Sequence, residues 1–127
     1  MKIFNNSKFP ARFIAEILYR DHFTKNSFNL IGRWLDGPFL ADKDYVPMPT
    51  MLAPGQPRRL GIAVKHQIED MWYALDNKSP FDGYYAERYE LIGPVSIIVQ
   101  LKSDKETVTR CFQLREENGR PYFDAIP

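Results

Sequence analysis

The pair Asn118-Gly119 constrains this chain more than any other two residues. Both tolerate positive φ, as the central positions of a two-residue hairpin turn require. The flanking segments, Thr107–Arg115 and Pro121–Ile126, carry β-branched and aromatic residues, so the turn joins two antiparallel strands. Pro121 has no N–H and suits the first position of its strand or an edge. Upstream, Ser103-Asp104-Lys105-Glu106 is a four-residue turn. Before it, Val95–Lys102 puts Val95, Ile97, Val99 and Leu101 on one face and Ser96, Ile98, Gln100 and Lys102 on the other. Val108, Phe112 and Leu114 share a face of the following strand. A further strand-like stretch, Tyr84–Ile92, meets this unit at Gly93-Pro94, as a tight turn or as a bulge in one bent strand. Residues 84–126 therefore read as an antiparallel meander.

The chain before it reads differently. Phe9, Phe13, Ile14, Ile17 and Leu18 have the spacing of one helical face, with Ser7 as an N-cap and Pro10 in the first turn. The expected helix ends near Thr24–Asn26. Residues 27–35, SFNLIGRWL, fit a strand or a short helical turn, and a strand is the better reading. Asp36-Gly37-Pro38 is a turn. From Pro38 to Pro57, five prolines forbid a long regular element, yet Tyr45, Met48, Met51 and Leu52 make this loop too apolar for a solvated linker. A second helix is expected over roughly Arg59–Asn77, with Leu60, Val64, Ile68, Met71, Trp72 and Leu75 on one face.

The 127 residues are one domain's worth. With 44% hydrophobic and 14% aromatic residues, there is material for a core. A net charge of +1 disfavours a nucleic-acid-binding role, which rests on basic excess. The single cysteine, Cys111, permits no intrachain disulfide. The opening MKIFNNSKFP has no apolar core of a signal peptide, and no apolar run approaches the ~20 residues of a membrane span. The expectation is a soluble, cytoplasmic protein.

Two helices, a short strand and a meander of long strands resemble the nuclear-transport-factor-2-like (cystatin-like) α+β fold. The stretch Pro121-Tyr122-Phe123-Asp124-Ala125-Ile126 stands where that family's last strand lies. The resemblance implies an α+β domain over residues 1–127, two helices packed on a curved antiparallel sheet. In family members that are isomerases, dehydratases or cyclases, a cavity under the sheet holds Tyr, Asp and His side chains. On that resemblance, Tyr85, Tyr89, Asp124 and His66 would line such a cavity.

No sequence motif for catalysis, a metal or a cofactor is present. His66 and Asp70 would lie one turn apart on the second helix, as an oriented base or, more simply, as an exposed pair worth a few tenths of a kcal/mol. His22 fits a helix C-terminus, where the dipole favours a cation. Cys111 shares a strand face with Thr107 and Thr109 and reads as a small half-buried residue. Arg58-Arg59 before the second helix offers a weak contact for an anion or an acidic partner. The favoured reading is a non-enzymatic protein-binding module, of the class that includes small bacterial immunity or inhibitor proteins. It would bind through Tyr45, Met48, Met51, Leu52, Arg58 and Arg59, with no cofactor and with a protein partner or a second copy. A small-molecule binder or isomerase- or dehydratase-like enzyme, using His66, Asp70, Tyr85, Tyr89 and Asp124, is the alternative.

Overall fold

In the computed structural model, the structure describes residues 1–35, 49–66, 70–75 and 89–127; of His66 only the backbone is described. Among these residues there are twelve strands and no helix. They are β1 (Lys2–Ile3), β2 (Ala11–Asp21), β3 (Ser27–Ile31), β4 (Arg33–Trp34), β5 (Thr50–Leu52), β6 (Arg58–Gly61), β7 (Ala63–His66), β8 (Met71–Ala74), β9 (Glu90–Leu91), β10 (Val95–Lys102), β11 (Thr107–Glu117) and β12 (Arg120–Ile126). The α+β expectation is overturned, and the resemblance to the nuclear-transport-factor-2-like fold goes with it, because both expected helices are strands.

The first correction concerns β2. Along its eleven residues Phe13, Ala15, Ile17, Tyr19 and Asp21 are buried in strict alternation. The helical spacing arose because the opposite face also carries apolar residues, Ile14 and Leu18. Apolar pairs on both faces of a strand imitate the i, i+4, i+5 pattern of a helix. The second correction concerns the expected helix over 59–77. Gly61 closes β6, and Asp70 takes a left-handed conformation (φ 51°) in the turn between β7 and β8. A left-handed residue inside that span ends any helix.

The principal sheet has the order β12-β11-β10-β2-β3, with β5 also paired to β2. All these pairings are antiparallel. The three C-terminal strands match the expected meander: β10 has the predicted bounds, and β11 and β12 differ by two residues or fewer. Asn118 and Gly119 adopt φ 51° and 76° at the β11–β12 turn, the left-handed pair that a type I′ turn needs. The strand reading of residues 27–35 holds as β3 and β4. The expected strand 84–92 is described only from residue 89. There β9 joins β8 and not β10, so Gly93-Pro94 is where the chain changes sheets.

Two three-stranded sheets, β1-β6-β4 and β7-β8-β9, complete the described fold. One buried cluster unites residues of all three: Ile3 and Leu60, Ile17 and Ile97, Ala74 and Leu91. Tyr19, 1% exposed on β2, donates its hydroxyl to the Ile62 carbonyl at 2.7 Å and so ties the principal sheet to the segment between β6 and β7. A buried hydroxyl must find such a partner, or its desolvation costs about 1–3 kcal/mol.

Candidate functional site

Because directly paired residues lie on the same side of a sheet, the register assigns the rows of the principal sheet's outer face. One row runs Ser27, Arg20, Ser96, Gln113, Asp124 across five strands. The next runs Asn29, Leu18, Ile98, Cys111, Ile126. A polar row therefore lies beside a largely apolar one, about 7 Å away along the strands. A groove of about 680 Å³ follows both rows over β3, β2 and β10. At its end the His22 imidazole Nε2 lies 2.5 Å from Ser96 Oγ. Arg20 is exposed and has no hydrogen-bond or ion-pair partner among the described residues. Further along β2, Glu16 accepts hydrogen bonds from the Asn29 amide and from Lys102 Nζ at 2.5 Å. The Asn29 bond first and the lysine second hold the Glu16 carboxyl below its ordinary range, against the opposing effect of burial.

The inner end of β2 is closed by Asp21, a fully buried carboxylate. It accepts backbone N–H bonds from Phe23 (2.8 Å), Thr24 (3.2 Å), Ile92 (2.7 Å) and Gly93 (3.1 Å). Burial alone would raise its pKa; the four amides outweigh that and lower it. Asp21 thus pins the 22–26 turn to the 92–93 sheet crossing. Gly93 is required by this close approach: a Cβ there would stand 2.4 Å from Phe23 Cβ and 3.0 Å from Asp21 Oδ1. With Asp21's charge matched by amide donors, it is a structural anchor.

A second groove, about 380 Å³, lies where β8 meets the ends of β10 and β11. Trp72 Nε1 donates to Glu116 Oε2 at 2.6 Å, and Lys65 bridges Asp70 (2.9 Å) and Glu116 (3.4 Å). The Asp70 hydrogen bond raises the Lys65 pKa; desolvation opposes it, and the Glu116 hydrogen bond adds to the rise. One ammonium thus serves two carboxylates, and the cluster ties Lys65 and Asp70 to Glu116 of β11.

The third feature is an edge. β12 pairs with β11 on one side and with no described strand on the other. Six of its seven residues are exposed, including Phe123 (39%) and Ile126 (44%), and this decides that the strand lies open on both faces as well. Phe123 stacks on Phe112 at 4.8 Å, and the Arg115 guanidinium lies 4.6 Å from the Tyr122 ring.

The residues singled out from the sequence are scattered. Tyr45, Met48 and Tyr85 lie outside the described residues, as does most of the proline-rich loop. His66 is the last residue of β7 and pairs with Met71 of β8, so it and Asp70 do not share the expected helix. Tyr89 packs on Phe28 at 5.0 Å, and Phe28 in turn on buried Tyr19, inside the sheet. Asp124 is on the outer face of β12, 3.7 Å from Arg115. Asp70, Tyr89 and Asp124 are thus not gathered into one site. Met51 is exposed on β5, whereas Leu52 beside it is 2% exposed and belongs to the core. Arg58 donates to the Met51 carbonyl at 3.2 Å and lies 5.8 Å from the Trp34 ring; Arg59 is exposed on β6.

Arg20, Ser96 and Asp21 are not among the site residues expected from the sequence. Asp21 does carry a signal: it is the next inward position after Phe13, Ala15, Ile17 and Tyr19 once the period is taken as two. Arg20 and Ser96 carry none, since only the register of distant strands brings them together. No protein-family model matches the chain, and no curated protein or solved structure is significantly similar to it.

Proposed function

We propose that this protein is a non-enzymatic binding module that takes up an extended segment of a partner chain by strand addition at β12. The observation that carries this reading is the open β12 edge. An edge strand presents unpaired N–H and C=O groups, and soluble proteins usually blunt it with lysines, prolines or bulges. Here the strand, Arg120-Pro121-Tyr122-Phe123-Asp124-Ala125-Ile126, has no lysine, and its one proline sits at the start. Main-chain hydrogen bonds would supply affinity, and alternate side chains would supply selectivity. An apolar residue of the partner would meet Phe123 on one face. A polar or basic one would lie beside Asp124 on the other.

Selection from a library of extended peptides, followed by amide hydrogen exchange on the complex, tests this. Bound peptides should slow exchange in residues 120–126 above all, and Phe123→Lys should weaken binding by about tenfold or more. Peptides that protect other strands and leave 120–126 unchanged would overturn the proposal. Slower exchange at 120–126 that depends on protein concentration alone would make a second copy the partner.

A further inference from the structure

We infer that the outer-face groove is a binding site for a small organic anion with a carboxylate head and a short apolar tail. Arg20 and Ser96 are directly opposed residues of β2 and β10, with Ser27 on the far side of Arg20. One cation and two hydroxyls thus stand in one row, and that cation has no partner among the described residues. The nearest carboxylate on the same face of β2, Glu16, is engaged by Lys102 and Asn29 and leaves Arg20 uncompensated. A guanidinium presents a planar fork of donors that matches a carboxylate in two parallel hydrogen bonds. His22, bonded to Ser96 Oγ, fixes that hydroxyl at the end of the groove.

The neighbouring row sets the rest of the ligand. Leu18 and Ile98 are directly opposed, two residue pairs along from Arg20 and Ser96 and so on the same face, and both line the groove. Leu18 is 37% exposed, an apolar surface beside a lone cation. A free inorganic anion would use the head row and leave the second row wet. A neutral hydrocarbon would leave Arg20 unused. Only an amphipathic anion covers both rows, with its head on Arg20 and its tail across Leu18 and Ile98. The site is separate from the β12 edge and does not depend on the reading of that edge.

The test is a titration of the full chain with sodium hexanoate, sodium acetate and hexanol, followed by amide chemical shifts. Hexanoate should move the signals of Leu18, Arg20, Ser96 and Ile98, and should bind more tightly than either acetate or hexanol. Arg20→Gln should weaken hexanoate by about tenfold, the size of one lost charge-assisted contact. Arg20→Lys should keep part of the affinity. Leu18→Asn should bring hexanoate down to the level of acetate. Arg20 and Leu18 are exposed, so all three variants should fold, and unchanged amide exchange in β2 confirms it. Equal binding of hexanoate by wild type and Arg20→Gln would overturn the inference. So would hexanol binding as tightly as hexanoate, or shifts spread over the molecule away from these four residues.

Discussion

The two faces of β2 carry nearly the same materials and do opposite things. Each has aliphatic side chains and one carboxylate: Phe13, Ala15, Ile17, Tyr19 and Asp21 inside, Ile14, Glu16, Leu18 and Arg20 outside. Inside, the carboxylate is met by backbone amides from two other segments, and the aliphatic groups are within 6% of full burial. Outside, the carboxylate is met by two side chains that can rotate away, and Leu18 is open to water. Residue type therefore says little about role along this strand. What matters is whether the partner is fixed backbone or mobile side chain.

The sharpest way to break this comparison is a matched pair of truncations one residue apart. Ile17→Ala should cost about 3–4 kcal/mol, from lost burial plus the cavity left behind, and Leu18→Ala less than about 1 kcal/mol. Urea unfolding of the two variants measures both; equal losses would mean that the outer face is packed too. Asp21→Asn comes next, at about 3 kcal/mol, because an amide nitrogen would face N–H donors that a carboxylate accepts. Its pH dependence has a definite sign. The folded Asp21 titrates below its ordinary value of 3.8. Its stabilisation is therefore complete above that value and is lost as pH falls through the lower, folded pKa. The deficit of the Asn variant should be constant near neutrality and should shrink below pH 3.8.

Gly93→Ala should cost about 2 kcal/mol, since the new methyl meets Phe23 Cβ, which backbone holds in place. Thermal unfolding reads this directly, and a neutral result would show that the 92–93 crossing can retreat from Asp21. The smallest effect belongs to Glu16→Gln. Its bonds to Lys102 and Asn29 lie on an exposed face, where such pairs contribute about 0.2–1 kcal/mol. A loss as large as that of Asp21→Asn would erase the distinction between the faces.

The C-terminal strands of the principal sheet and β3 were legible in the sequence, and β2 was not. Asn118-Gly119 encodes its own turn through two left-handed residues, and β10 alternates from Val95 to Leu101 with Ile98 the one apolar residue on its outer face. Those are local signals. In β2, Ile14 and Leu18 fall beside Phe13 and Ile17 and turn a period of two into an apparent 3.6. In the 59–77 segment, the apolar residues of β6, β7 and β8 happened to line up on one helical face, and nothing nearby marked Asp70 as a turn residue. The outer groove was illegible for another reason. Arg20 and Ser96 mean nothing until β10 is laid against β2 in register.

That register also bears on how the chain reaches its native state. His22 and Ser96 are 74 residues apart, and the β2–β10 seam that joins their strands is the middle of the principal sheet. β10, β11 and β12 need only short turns to find one another, whereas the seam must close a loop holding more than half the chain. Closure of long loops delays folding more than it weakens the final state. The C-terminal meander can thus form early and wait with two open edges, β10 as well as β12. During that interval the strand that will later receive β2 is available to any other strand in solution, so folding yield should fall with protein concentration even where the finished protein is stable.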